Sequence, residues 1–480
     1  MVLSFYAAFI RQPDWNINSR LGLVKAIVEE KRLTIDSYHA GEFATEDKAF
    51  YDGHYYSDKA PVTSLLGALI YTPIYRSVKQ PLPISLFIML MTTLTISIPC
   101  AILAPLLYNT SIRISRDKWF ALIAALSIAL ATPIFPYAGA FYGHSFAAVL
   151  AFSVFYLWLD VNQFGASITY LRLFLSGLLL GFMVLTEYTT VLIAAILLGY
   201  IIYVLRAKQA TWNWNIVGSF LAGGAIPFAV FVIYNQLSFG SPLAIGYANE
   251  SLVEFKDLHS EGLMGIGWPN LKTLLYMTVH PLMGIFLQAP VLLLSVYGFA
   301  MFLRQRKYIA ELIVSALIII VYFLVVSSLK VWWGGNSFTV RYIIPILPFF
   351  IMFLVFLPRK YILFMILLGS VSFFNMLIAS ATTYTALDDI VREHLIQENG
   401  LSWKFSLLYQ ELLPRLLKNR LTLTWGGYIF GLESWYFNLA LPLLAGGLLF
   451  VLFFLLNRSR KKSLTTASAP ETINPNHLQP

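Results

Sequence analysis

Asp58 and Lys59 close an acidic and aromatic run, Tyr51-Asp52-Gly53-His54-Tyr55-Tyr56-Ser57-Asp58-Lys59-Ala60-Pro61, which gathers side chains suited to chemistry at a phosphate ester. A carboxylate can take the proton of an acceptor hydroxyl, a lysine or arginine can stabilise a departing phosphate, and aromatic rings can stack on sugars. Nine of the 24 acidic residues fall between Arg11 and Lys59, in a chain that is otherwise poor in charge. Outside this run the chemically notable positions are Glu187, set between two apolar stretches, and Arg341-Tyr342 at the start of another.

The elements that must position these groups are membrane helices. Of 480 residues, 58% are hydrophobic and only 12% charged, against about 25% charged in ordinary soluble domains. The mean hydropathy is +0.71. The apolar run 84–108 is 25 residues long, and at about 1.5 Å per residue it covers roughly 37 Å, enough for a hydrocarbon core of about 30 Å. Alternating ten-residue strands of a barrel are not seen. Further apolar runs lie near 119–136, 137–159, 171–186, 188–205, 216–234, 284–303, 309–328, 343–357, 361–378 and 436–456. With a shortened first helix in the N-terminal segment, the fold class expected is an all-α integral membrane protein of about twelve transmembrane helices.

Threading these runs in order puts the basic clusters Arg113/Arg116/Lys118, Arg206/Lys208, Arg304/Arg306/Lys307, Arg359/Lys360 and Arg458/Arg460/Lys461/Lys462 on one side, which the positive-inside rule makes cytoplasmic. The long loops 11–83, 235–283, 329–342 and 379–435 then face outward. Residues 1–378 are expected to form the transmembrane core, 379–435 an extracytoplasmic segment, 436–456 the last span, and 457–480 a disordered cytoplasmic tail. Residues 17–32 and 61–75 read as two interfacial helices flanking the acidic run. The net charge of +9 is explained by these loop clusters and does not call for nucleic acid. Cys100 is the only cysteine and sits in an apolar run, so disulfides, thiolate metal sites and cysteine catalysis have no support.

An outward-facing site has no ready supply of nucleotide, and the chain carries no phosphate-binding Gly-x-x-x-x-Gly-Lys-Ser/Thr loop. Activated groups should come from the membrane, and lipid-linked phosphates are the candidates. Here motifs carry a resemblance. Gly53, Tyr55-Tyr56 and Asp58-Lys59-Ala60-Pro61 are similar to the Gly…Tyr-x-x-Lys-Pro-Pro element in the first external loop of polyprenyl-phosphate-dependent glycosyltransferases of the C-type superfamily. That superfamily includes protein O-mannosyltransferases and the lipid A aminoarabinose transferase. Trp332-Trp333-Gly334-Gly335-Asn336-Ser337-Phe338-Thr339-Val340-Arg341-Tyr342, with Pro345 and Pro348, resembles the Gly-x-Arg-Tyr…Pro…Pro start of a late helix, and Phe239-Gly240-Ser241-Pro242 with Gly246-Tyr247 adds a third match. The resemblance spans roughly residues 14–350.

It implies a membrane glycosyltransferase that moves a sugar from a polyprenyl-phosphate donor to an extracytoplasmic glycan, lipid or protein acceptor; inversion is expected because a single displacement attacks from the opposite face. The plasma membrane is implied as its location, as a multi-pass protein of a bacterial inner membrane. The lipid-linked sugar is a co-substrate. No cofactor is required, and no metal site is assigned, although the superfamily contains metal-dependent members. Lys59 matches the motif lysine that contacts the lipid phosphate, and Arg341 is paired with it as a second phosphate ligand. The family's Asp-Glu pair does not carry over: by spacing to Arg20 it falls on Ile17-Asn18, with Asp14 nearby. The base is therefore sought elsewhere, at Asp36, then Asp58, then Asp14. Asp47, His54, Tyr55, Tyr56, Glu187 and Tyr342 are the expected substrate-binding residues.

Each also has a plainer reading. Lys59 can be an interfacial lysine, Asp58 its neutraliser, and Asp36 and Asp47 solvated loop carboxylates. Asp52, His54 and Asp58 read weakly as metal ligands. Arg341 can anchor the interface, Glu187 can tie to a backbone or arginine partner, His144 can pack between helices, and Trp332 and Trp333 can be belt residues. The rival function is a transporter or flippase of a lipid-linked or polar solute, with a non-catalytic scaffold third. The runs 84–108, 119–136, 216–234 and 284–303 hold none of the ionisable residues an ion-coupled transporter needs at mid-membrane.

Overall fold

The computed structural model describes residues 1–209, 213–252, 266–302, 307–397, 404–448 and 451–452. The tail 457–480, expected to be disordered, lies outside the described residues, as do Arg304 and Arg306. Among the described residues six helices are long and apolar enough to cross a membrane: Ile84–Ser115, His144–Phe164, Tyr188–Ala207, Trp214–Phe239, Ile309–Ser327 and Arg359–Ala381. Five shorter apolar helices accompany them: Lys118–Ala129, Tyr170–Thr186, Pro290–Phe302, Arg341–Leu354 and Trp435–Leu448. The expected all-α membrane architecture is present, with eleven apolar helices among the described residues against the twelve spans expected.

Proline explains much of the shortening. The run 119–136 stops as a helix at Ala129, and Pro133 precedes a separate short turn of helix, Ile134–Ala138. Residues Arg341–Phe350 wind as a 3₁₀ helix because Pro345 and Pro348 lack the N–H groups that an α-helix would use. These breaks leave irregular backbone at 130–133, 139–143 and 328–340, where polar side chains can converge without interrupting a long helix.

Three of the basic clusters, those at 113–118, 206–208 and 359–360, meet at one end of the bundle. Arg113 pairs with Asp160, the Lys208 ammonium donates to the Asn162 carbonyl at 2.8 Å, and Arg359 lies 3.0 Å from Asp117. The helices between them then run to the opposite end, which carries residues 11–83.

The first of the two helices expected along the interface is packed differently. Trp15–Lys25 is buried over nearly its whole length, Arg20 and Lys25 included, and it packs against Val62–Val78. Its polar residues are satisfied from within: the Lys25 ammonium sits 2.9 Å from Glu42 and 3.8 Å from Glu29. The apolar face read from Ile17, Leu21, Val24 and Val28 is real, but the opposite face meets protein and not lipid headgroups. Residues 11–83 thus cover the end of the bundle.

Candidate active site

The acidic run folds into a hairpin. Strand Lys48–Tyr51 pairs antiparallel with His54–Ser57, with Lys48 opposite Ser57 and Tyr51 opposite His54. The two-residue turn between them is Asp52-Gly53, both in the left-handed region at φ 49° and 81°, the backbone that a right-twisted two-residue hairpin requires and that Asp-Gly supplies. The ladder brings the residues just outside it, Asp47 and Asp58, across from each other. Lys59 lies between them, its ammonium 2.7 Å from Asp58 and 3.1 Å from Asp47, with the Tyr247 ring at 5.4 Å.

Both members of the Asp58–Lys59 pair are buried. Burial pushes the Asp58 carboxyl up to about 6, against the pull of the Lys59 ammonium and with the push of Asp47 and Glu250. Burial works against the lysine's charge as well, but Asp47 and Asp58 together hold its pKa well above the usual value. Lys59 is therefore a fixed cation whose counter-charge varies near neutrality.

A second ion pair adjoins the first through helix Trp15–Lys25. On that helix the Ser19 hydroxyl reaches Asp58 at 3.4 Å, while Arg20 extends the other way. One Arg20 Nη donates to the Ala60 carbonyl at 3.0 Å and to Thr63 at 2.8 Å, its Nε to Asn16 at 3.0 Å, and its other Nη to Glu187 at 3.1 Å. Glu187 interrupts two helices at Thr186 and Tyr188. Its carboxylate also takes the Gly143 N–H. A Cβ on Gly143 would stand 2.5 Å from that carboxylate oxygen, so only glycine admits the contact. Removing one partner of a buried ion pair strands the other without water. Glu187→Ala is expected to cost about 3–5 kcal/mol, seen as a lower unfolding temperature of the detergent-solubilised protein; an unchanged midpoint would mean the pair does not hold these helices together.

The third group is built around Tyr142. Asp14 caps the Trp15–Lys25 helix by accepting the Ile17 N–H at 3.1 Å. Its other oxygen accepts from Arg11 at 2.8 Å and from the Tyr142 hydroxyl. That hydroxyl in turn accepts from Arg341 at 3.0 Å. Arg11 and Arg341 both lie over the Tyr142 ring, at 5.1 and 4.9 Å from its centre. The His144 ring stacks on Tyr142 and meets Tyr342 edge-on, with its Nδ1 3.6 Å from Glu187. Lys59, Arg20 and Arg341 all act electrostatically on Glu187, so the three groups form one site.

Four cations and four carboxylates make up this site, and their pairing is uneven. Arg11 has Asp14, Arg20 has Glu187, and Lys59 has both Asp47 and Asp58. Among the described residues Arg341 has no carboxylate within ion-pair distance, although its side chain is buried and its Nε donates to nothing. A buried cation without a counter-charge is costly. Arg341 is thus the point at which an incoming anion would gain most.

The sequence-derived residues separate into two sets. Lys59, Asp58, Asp47, Asp14, Glu187, Arg341 and Tyr342 converge. Asp36 and His54 lie on the exposed side of the hairpin, where Asp36 accepts from the Tyr55 N–H at 2.7 Å and contacts His54 at 2.8 Å. Slight burial favours its proton, but the Tyr55 N–H and His54 hold the Asp36 carboxyl below its ordinary pKa. The Tyr55 ring packs at a tilt against His39 at 4.0 Å and Phe50 at 5.0 Å, while Tyr56 packs on Phe239 at 5.4 Å. Asp52 and His54 stand at the exposed tip while Asp58 is buried at the base, so these three do not come together. Among the described residues, no three His, Cys, Asp or Glu side chains group where a metal ion could sit. Asn18 donates to the Ala44 carbonyl at 2.8 Å. Trp332 and Trp333 are buried, not belt residues, and Trp333 donates to Asp388 at 2.6 Å. Arg11, Arg20 and Tyr142 join the site only through the fold. The i,i+3 spacing of Arg11 and Asp14 is the one local signal for this group.

No family model matches the chain, and no curated protein matches it. Among solved structures the chain is similar to ArnT from Cupriavidus metallidurans bound to undecaprenyl phosphate, at 15% identity over 86% of this chain and 71% of that chain, with a TM-score of 0.46. It is also similar to ArnT from the same organism in the apo state, at 15% identity and the same coverage, with a TM-score of 0.44.

Proposed function

We propose that the protein is a membrane glycosyltransferase that moves a sugar from a polyprenyl-phosphate donor to an acceptor on the extracytoplasmic side. The observation that carries this reading is Arg341, a buried guanidinium with no carboxylate of its own, in one electrostatic cluster with Lys59. The Lys59 and Arg341 motifs are those in which the sequence resembles C-type glycosyltransferases, and here they belong to one site.

In the proposed reaction the acceptor oxygen attacks the anomeric carbon, and the bond from that carbon to the phosphate oxygen breaks. The electron pair leaves on the phosphate, held by Lys59 and Arg341, and the acceptor's proton passes to a carboxylate. A single displacement inverts the anomeric centre. The base must lie across the sugar from the leaving phosphate. Asp58 touches the Lys59 ammonium and is therefore on the leaving-group side, whereas the Tyr142 hydroxyl separates Asp14 from Arg341. Asp36 lies on the exposed hairpin, and its hydrogen bonds favour the anion. Asp14 is thus the assigned base, which reverses the order read from sequence. Asp58 and Asp47 act as the counter-charge that the donor phosphate displaces from Lys59.

This role for Asp58 sets a pH dependence. Above about pH 6 the Asp58 anion competes with the donor for Lys59; as pH falls through about 6 the carboxyl takes a proton and the competition ends. Donor KM is expected to fall severalfold, roughly three- to tenfold, between about pH 7.5 and 5.5. Asp58→Asn should flatten that profile, and a slope unchanged in the variant would remove Asp58 from this role.

Release of labelled sugar from a polyprenyl-phosphate donor, measured in vesicles reconstituted with the full-length protein, tests the function. Flux of lipid or solute without cleavage of the glycosyl bond would instead support a transporter. One buried carboxylate, Glu311, sits in a membrane helix, but only two residues beyond its start at the basic end. It is bound there by Tyr200 at 2.7 Å and Asn162 at 2.6 Å. A coupling ion site is expected nearer the midplane.

A further inference from the structure

At the basic end of the bundle, away from the site just described, two turns border an open surface cavity of about 640 Å³. One turn, Arg116-Asp117, joins the Leu103–Ser115 and Lys118–Ala129 helices. The other follows Ile351–Leu354 and leads into Arg359–Tyr361. Arg116, Lys118 and Arg359 line the cavity with a single carboxylate, Asp117. That carboxylate is already committed: one oxygen accepts the Trp119 and Phe120 N–H groups at 3.0 and 3.1 Å, and the other meets Arg359 at 3.0 Å. Arg116 and Lys118 are exposed, and among the described residues neither side chain makes an ion pair or a hydrogen bond. The cavity also has an apolar side, formed by the buried residues Phe120, Val355 and Leu357.

We infer that this cavity holds the phosphate headgroup of an anionic phospholipid, at a site separate from the candidate active site. Charge complementarity comes from two unpaired cations beside a neutralised third. The choice of a lipid over a soluble phosphate rests on the position. The cavity lies where apolar helices end, its wall is hydrophobic, and Trp119 beside Lys118 is 59% exposed, as an interfacial tryptophan would be. Basic pockets at helix ends on the cytoplasmic side suit acidic headgroups. The lipid would brace the far end of the Arg341–Leu354 segment, whose other end presents Arg341. The inference does not depend on the proposed transfer reaction.

The test is native mass spectrometry of the full-length protein in detergent, titrated with phosphatidylglycerol and, separately, with phosphatidylcholine. The wild type should retain one phosphatidylglycerol in preference to phosphatidylcholine, and inorganic phosphate should not displace it. Arg116→Gln/Lys118→Gln should weaken phosphatidylglycerol binding by about 30-fold, to the level of phosphatidylcholine. Both side chains are exposed, so the fold should be retained, as an unchanged unfolding temperature would verify. Arg206→Gln/Lys208→Gln removes equal charge at the same end but outside the cavity, and should leave binding within about twofold. Equal loss in both double variants, undiminished binding in the first, or displacement by phosphate would each overturn the inference.

Discussion

Sugar transfer is expected to fall about 10²–10⁴-fold in kcat/KM when Lys59→Ala and Arg341→Ala are combined. The figure follows from two charge-assisted contacts worth about 1.5–3 kcal/mol each, strongest where charge develops on the leaving phosphate. The two single variants should not behave alike. Lys59 is held by Asp47 and Asp58 in the unliganded protein, so Lys59→Ala leaves two carboxylates facing each other in a buried site and should also repel the donor. Arg341 has no carboxylate to strand, and Arg341→Ala should lower the transfer rate with little effect on folding. Steady-state kinetics with a labelled donor, alongside thermal unfolding, separates these outcomes. Full transfer in the double variant would remove both residues from the phosphate site.

Asp14→Asn should lower kcat by about 10²–10⁴-fold while leaving donor KM within a few-fold, because general-base catalysis is lost without removing a phosphate ligand. Asparagine keeps a carbonyl oxygen for the Ile17 N–H, so the helix cap survives in the variant. Asp36→Asn provides the contrast. Asp36 ties the hairpin to His54 and the Tyr55 backbone on an exposed surface, and its loss should change kcat by no more than about threefold. The reverse pattern, with Asp36→Asn inactive and Asp14→Asn active, would return the base to the hairpin and refute the geometry proposed here.

What the sequence made legible follows from the range of the interactions involved. Apolar runs are local, so helices such as Tyr170–Thr186 and Ile309–Ser327 appear close to where hydropathy places them. Prolines are local too, yet their consequence at Arg341–Phe350, a 3₁₀ segment, depends on what packs around it. The repeated Asp-Lys-Ala at 47–49 and 58–60 was visible as a pattern. Its meaning lay in the hairpin register that sets Asp47 and Asp58 around one lysine, and the Asp52-Gly53 pair that signals the turn was not read as one. Arg20 served as a landmark in sequence, but its pairing with Glu187 spans 167 positions and no local rule reveals it. Tyr142 was hidden for the same reason. A tyrosine in an apolar stretch looks like packing until Asp14 and Arg341 are found on either side of its hydroxyl.

The central claim is that Lys59 and Arg341 together hold the phosphate of a polyprenyl lipid. A density map of the full-length protein with polyprenyl phosphate bound tests it most directly. The phosphate is predicted within hydrogen-bonding distance of both the Lys59 ammonium and the Arg341 guanidinium, with Asp58 moved off the lysine. A phosphate resting at any other place, with the Asp58–Lys59 and Arg341–Tyr142 contacts intact, would contradict the account.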